Sequence, residues 1–238
     1  MKQLRGDYLV SQDNFLIEAR HSSTTETEAK LIASMVSMVE KEDKNFDKQR
    51  LSVIQFCELM EIKKPNYRHI KKACEKLIGK TISVEEILEN GKTKWTGRTW
   101  FDEVSYVDGG GYIEFTFSNA MKPYLLDLNE FTQYYLSNIM SLNSTYAIRI
   151  YELSKRHQNK KIKTFTIDVE ELRLKIGATQ KSYNLFGSFK QKALAPALEE
   201  IENTTDIIVT YEEIKMGRKV TALKFTVKSN PKNKKKNQ

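Results

Sequence analysis

The pattern that most narrows the fold is a repeat: one supersecondary unit is written twice along the chain. In each copy a helix leads into a short strand, a helix–turn–helix and a β-hairpin. The first copy places a helical stretch at 54–60 before a turn at 61–65, a basic helix from Asn66 and strands from Thr81. The second places Val169–Ile176 before a turn at 177–181, another basic helix and strands from Asp206. A helix–turn–helix with a hairpin behind it is the winged-helix plan, whose second helix fits a DNA major groove. The pattern predicts an α+β chain of two tandem winged-helix domains.

A chain of 238 residues has room for two such domains, and 39% hydrophobic residues suffice for their cores. We place the first at 1–140, the second at 141–228 and a disordered basic tail at 229–238. The net charge of +8 favours a polyanionic partner. Cys57 and Cys74 lack CxxC spacing and read as core thiols of a reduced cytoplasmic protein. The N-terminal run offers no apolar stretch for a signal peptide, and nowhere are there the ~20 apolar residues of a membrane span. A cytoplasmic protein without a membrane partner is expected.

Local signals fill in the elements. Thr25 and Glu28 form a capping box ahead of an amphipathic helix over about 25–41. Leu51 and Val53 read as a short strand. Strands are expected at 81–87, at 94–107 with both tryptophans, and through Ile113, Phe115 and Phe117 after a three-glycine turn. A short helix should cover 121–128, and 131–136 reads as a strand-like link between the halves. Asn143 or Ser144 can cap the following helix. Gly177 suits the left-handed residue that ends a helix. Phe186, Phe189, Ala193, Ala197 and Ile201 make one apolar stripe over 183–203, where Pro196 should begin or kink a helical stretch.

Several tempting signals lack necessary parts. Gly79-Lys80-Thr81 and Gly91-Lys92-Thr93 resemble the end of a phosphate-binding loop, but its leading glycine is replaced by Cys74 and Glu86. A rolling-circle nickase needs paired metal-binding histidines beside a nucleophilic tyrosine, whereas His21, His69 and His157 are isolated. Glu199-Glu200 and Glu212-Glu213 read as solvated faces. No catalytic, metal or cofactor site is expected.

The candidate chemistry lies in the helix–turn–helix units. Lys181, Ser182 and Tyr183 precede the second basic helix, and Ser188, Lys190, Gln191 and Lys192 fall in its first turns. At 100° per residue Ser188, Gln191 and Lys192 lie opposite the apolar stripe, offering amide and ammonium groups to base edges and phosphates. Lys215, Arg218 and Lys219 form the hairpin tip. Lys63, Lys64, Asn66, Arg68, His69 and Lys72 make a secondary set on the first unit, suited to phosphate.

Three segments carry a family resemblance. They are 9–19 (LVSQDNFLIEA), 144–153 (STYAIRIYEL) and 189–201 (FKQKALAPALEEI), the last followed by Thr205-Asp206-Ile207 and Tyr211-Glu212. Together they resemble the iteron-binding plasmid replication initiators, in the right order over nearly the whole chain. The resemblance implies tandem winged helices without catalysis and recognition of direct repeats in double-stranded DNA at a plasmid origin. It implies a C-terminal domain that reads the repeat and an N-terminal one that contacts adjacent DNA or forms a dimer interface. It also implies recruitment of the host replicative helicase machinery and a monomer–dimer equilibrium in which monomers initiate and dimers repress their own promoter. Family members often carry arginines where this chain has Lys190, Gln191 and Lys192, so forked arginine–guanine contacts are less available here. A winged-helix transcriptional regulator is the alternative from another class.

Overall fold

Each copy of the repeat builds a helix–turn–helix flanked by antiparallel strands, in a computed structural model that describes residues 3–158 and 163–233. The N-terminal half runs β1 (Leu9–Asp13), α1 (Asn14–Glu18), β2 (Arg20–His21), α2 (Glu26–Val36), β3 (Gln49–Ser52), α3 (Val53–Leu59) and α4 (Tyr67–Leu77). It continues through β4 (Thr81–Ile87), β5 (Thr93–Thr99), β6 (Phe101–Tyr106), β7 (Tyr112–Phe117), α5 (Lys122–Leu125), β8 (Phe131–Tyr135) and α6 (Leu136–Met140). The C-terminal half runs α7 (Thr145–Gln158), β9 (Thr164–Asp168), α8 (Val169–Ile176), α9 (Phe186–Phe189), α10 (Ala195–Thr204), β10 (Ile207–Met216) and β11 (Lys219–Ser229). The sheets are ordered β1-β8, β2-β4-β5, β3-β7-β6 and β10-β11-β9.

The expected capping box forms: Thr25 Oγ1 accepts from the Glu28 amide while the Glu28 carboxylate accepts from the Thr25 amide. Helix α2 ends at Val36, earlier than its apolar periodicity suggested, and Ser37 Oγ donates back to the Ser34 carbonyl. Val53 opens α3 rather than ending a strand, because Ser52 Oγ accepts from the Gln55 amide and caps the helix. Both first helices of the helix–turn–helix units stop in the same way. Gly177 sits at φ +76° and Glu61 at φ +57°. In each case the next residue donates to a carbonyl five positions back, Ala178 to Arg173 and Ile62 to Cys57. A glutamate does here what glycine does in the second copy, which sequence reading could not distinguish from an ordinary turn.

Two expectations about strands are corrected. The segment 94–107 is two strands in different sheets, divided at Trp100, which is 2% exposed. The Trp100 amide donates to Lys80 and its carbonyl accepts from Ser118, so the chain crosses between sheets where the indole enters the core. The segment 131–136 is not merely a link, since β8 pairs along its length with β1. The first residues of the tail expected to be disordered from 229 are structured. β11 reaches Ser229, and the buried Asn230 donates to the Glu202 and Thr205 carbonyls. Residues 234–238 of that tail lie outside the described residues.

Helix α7 joins the halves, packing on α1, α2 and β8 on one side and on α8, α10 and β11 on the other. Buried Arg149 donates to the Ile17 and Ala19 carbonyls at 2.9 and 3.1 Å and pairs with Glu152. Glu152 accepts from Tyr134, which accepts from Gln12, so one polar chain crosses from α7 to β1. Glu18 accepts from Arg156 and Lys175, and Arg20 pairs with Glu171, adding ionic contacts across the same boundary. The two thiols are core groups, as expected, and burial pushes Cys74 up to about 12.

Half-buried His21 sits in this junction, its Nε2 3.0 Å from the Leu16 carbonyl and its ring edge-on to Trp100. Packing around the ring and the Arg149 guanidinium hold its pKa well below 6.5. The folded state therefore keeps it neutral, whereas the unfolded chain takes up the proton below about 6.5. Stability from this site is present above that pH and lost as pH falls toward the depressed folded value. Urea unfolding between about pH 6.5 and 5 should show declining stability that His21→Gln flattens, and an unchanged slope in the variant would place the titration elsewhere.

Candidate nucleic-acid interface

The second basic helix is built in three pieces. A 3-10 turn over Lys181–Asn184 leads into α9, a π turn over Lys190–Leu194 and then α10. Pro196 has no amide to donate, and its ring would press on the carbonyl four residues back. The preceding turn widens instead, and the Ala195 amide donates to the Lys190 carbonyl five residues away. One consequence was invisible to a 100° projection: Leu194 joins Phe189, Ala193, Ala197 and Ile201 in the core. Gln191 and Lys192 remain exposed and Ser188 half-buried. Among the described residues neither the Gln191 nor the Lys192 side chain makes a hydrogen bond or ion pair. The helix thus presents an uncommitted amide and ammonium group on a rigid, well-packed element.

Lys190 is placed differently from its neighbours. Its Nζ lies 2.7 Å from Glu213 Oε1 on β10 and 5.9 Å from the Tyr211 ring centroid. Lys215 reaches the same carboxylate at 3.5 Å. Glu213 is therefore no solvated face, contrary to expectation. Glu200 also has a structural task, accepting from the Asn143 and Ser144 amides at the start of α7. Tyr183 packs edge-on against Tyr146 and Phe189, which makes it a support for the helix more than an exposed contact. Lys181 and Ser182 are exposed on the 3-10 turn, and Arg218 and Lys219 are exposed at the hairpin tip, where Gly217 turns at φ +62°.

Sequence reasoning missed two apolar residues on this surface. Leu185, at the start of the helix, is 72% exposed, and Met216, at the wing tip, is 74% exposed. Leu185 borders a groove of about 700 Å³ between the helix–turn–helix and the wing, lined also by Leu174, Phe186, Arg218 and Val220. An apolar side chain where a helix enters the major groove matches a thymine methyl. The available signal was that Leu185 falls off the apolar stripe.

The secondary set divides between structural and uncommitted side chains. Asn66 caps α4 by accepting from the His69 amide, and His69 Nε2 lies 3.0 Å from Thr27 Oγ1. Lys71 pairs with Asp108 at 2.6 Å. Lys63, Lys64, Arg68 and Lys72 are exposed. Lys80, from the first incomplete phosphate-loop motif, is a structural cation that pairs with Glu28 at 2.8 Å and donates to the Ser23 carbonyl. Among the described residues no three His, Cys, Asp or Glu side chains converge on a metal-sized site, and no helix is long and apolar enough to cross a membrane.

Residues 9–155 match the family described as "Initiator Replication protein, WH1", and residues 168–227 match "Initiator Rep protein, WH2". The chain belongs to this initiator replication protein family. The WH1 match runs through most of α7, and the two matches together establish tandem winged helices. A "Replication initiation protein" of Escherichia coli is 26% identical over 231 residues, covering 93% of this chain and 70% of the relative. A "PI protein" of Escherichia coli is 32% identical over 139 residues, covering 51% of this chain and 45% of the relative. Among solved structures, the Pi initiator protein in complex with iteron DNA superposes with a TM-score of 0.75 at 22% identity. That alignment covers 95% of this chain and 99% of the other, which places the whole family chain in the same fold.

Proposed function

We propose that this chain initiates plasmid replication by binding direct repeats at its plasmid's origin, in the bacterial cytoplasm and without catalysis of its own. The observation that carries the reading is the second winged helix, where Gln191 and Lys192 stand uncommitted beside a basic wing. An amide suits adenine edges, an ammonium suits guanine or phosphate, and a helix start suits phosphate as well. The related Pi initiator in its complex with iteron DNA supports repeats as the target. In this reading the C-terminal unit reads bases through Ser188, Gln191 and Lys192 and holds the backbone through Lys181, Ser182, Arg218 and Lys219. The N-terminal unit grips neighbouring phosphates through Lys63, Lys64, Arg68 and Lys72 and provides the surface on which monomers become dimers. DNA opening, recruitment of the host helicase machinery and repression of the protein's own promoter by the dimer complete the role.

Footprinting the full chain on DNA flanking its own gene defines the repeat. Gln191→Ala or Lys192→Ala should then cost roughly 1–3 kcal/mol on that repeat and much less on a scrambled duplex. Equal losses on both duplexes in gel-shift titrations would demote the residue to a phosphate contact. A wild-type chain that cannot tell the duplexes apart would overturn the reading.

A further inference from the structure

The pairing of Lys190 and Lys215 with one carboxylate has a consequence for discrimination. We propose that Glu213 is a specificity-determining residue that holds a recognition-helix lysine and a wing lysine back from phosphate, suppressing binding to non-cognate DNA. The proposal rests on the DNA-reading role of this surface and names a residue that acts against wrong sequences.

Tyr211 and Glu213 alternate along β10 and so share one face, and Lys215 follows where the pairing with β11 shifts register after Ile214. Lys190 comes down on that face from the helix, over the Tyr211 ring and within 2.7 Å of the carboxylate. Lys215 approaches the other carboxylate oxygen along its own strand at 3.5 Å. The Glu213 side chain is 22% exposed, less than either lysine, so the carboxylate is held in place while its cations reach outward. The hydrogen bond from Lys190, aided by Lys215, holds its carboxyl below the usual carboxylate range and keeps it charged at neutral pH.

Two cations that would otherwise meet the DNA backbone thus share one anion that phosphate repels. Non-specific binding is almost wholly electrostatic, so it loses the most when cations are withheld. Binding to the repeat also draws on Gln191 and Lys192, which Glu213 does not touch, and loses less. Discrimination rises at a cost in total affinity.

The test uses the full chain, the footprinted repeat duplex and a scrambled duplex of equal length and composition, titrated across salt. On the scrambled duplex, Glu213→Gln should bind roughly three- to tenfold more tightly, with a log–log salt slope steeper by about one to two. Affinity for the repeat should rise less, so the ratio between the duplexes falls. Adding Lys190→Gln to Glu213→Gln should return about one unit of that slope. Unchanged affinity and slope on scrambled DNA, or weaker binding to it, would overturn the proposal. Lys190→Gln in the otherwise wild-type chain is a second arm that does not depend on how the Glu213 variant folds. A lysine already withheld should leave the scrambled-DNA slope unchanged, and a drop of about one would overturn the idea. Absence of any repeat preference in the wild type would sink the function reading, whereas a flat response to Glu213→Gln sinks this inference alone.

Discussion

Raising salt from about 50 to about 200 mM should weaken the complex with repeat DNA by roughly 10³- to 10⁵-fold, the loss expected for six to ten phosphate contacts. The reason is counterion release: each cation that meets a phosphate frees condensed ions, and added salt opposes their release. The structure separates the cations that can contribute from those that cannot. Lys181, Lys192, Arg218 and Lys219 on the second unit, with Lys63, Lys64, Arg68 and Lys72 on the first, are exposed and make no ion pair among the described residues. Lys71, Lys190 and Lys215 face Asp108 or Glu213 and should add little until those pairs open. Removing charge from either unit, as in Arg68→Ala/Lys72→Ala or Arg218→Ala/Lys219→Ala, should lower the log–log slope by about two. Fluorescence-anisotropy titrations over that range measure it. A slope near one or two for the wild type would mean that a single unit holds the DNA.

Replacing Arg149 with alanine should cost about 3–5 kcal/mol of stability, because it strands a buried carboxylate and removes a donor from three carbonyls at once. Glu152 would keep only its bond from Tyr134, and the Ile17 and Ala19 carbonyls would lose their shared donor. For a chain of this size the melting temperature should fall by roughly 6–20 °C. Adding Glu152→Gln should recover part of the loss by removing the uncompensated charge, giving a coupling that a double-mutant cycle measures. Additive losses would mean that water already satisfies the site. Because Arg149 spans from α7 to α1, the same variant should also loosen the packing of these two helices, seen as faster amide hydrogen exchange in both.

Arg149 also marks where sequence reading stops. Its segment was recognisable as a helix by cap and periodicity, and Ser144 does cap it. Nothing in the local sequence says that its guanidinium ends on carbonyls more than a hundred residues earlier. The repeated helix–turn–helix units, the capping box at Thr25 and Glu28, the left-handed turn at Gly177 and the final hairpin were legible because each is a local signal. Short-range sterics and hydrogen bonds decide them. The division at Trp100, the pairing of β8 with β1 and the left-handed Glu61 were not, since they depend on which sheet a strand joins and what the core around it accepts.

The interface divides along the same line. Sequence alone determined that two winged helices occur in tandem, that the chain is basic, and which helix faces carry Gln191, Lys192, Arg68 and Lys72. Composition and periodicity fix which residues are polar and on which side of an element they fall. Only the tertiary structure decided which cations remain available. Lys190, Lys215 and Gln191 look alike as polar residues of a basic motif, yet Glu213 arrives from a separate strand to hold the two lysines and leaves Gln191 uncommitted. A charge counts toward a phosphate only after its nearest opposite charge is known, and that neighbour is set by packing across the fold.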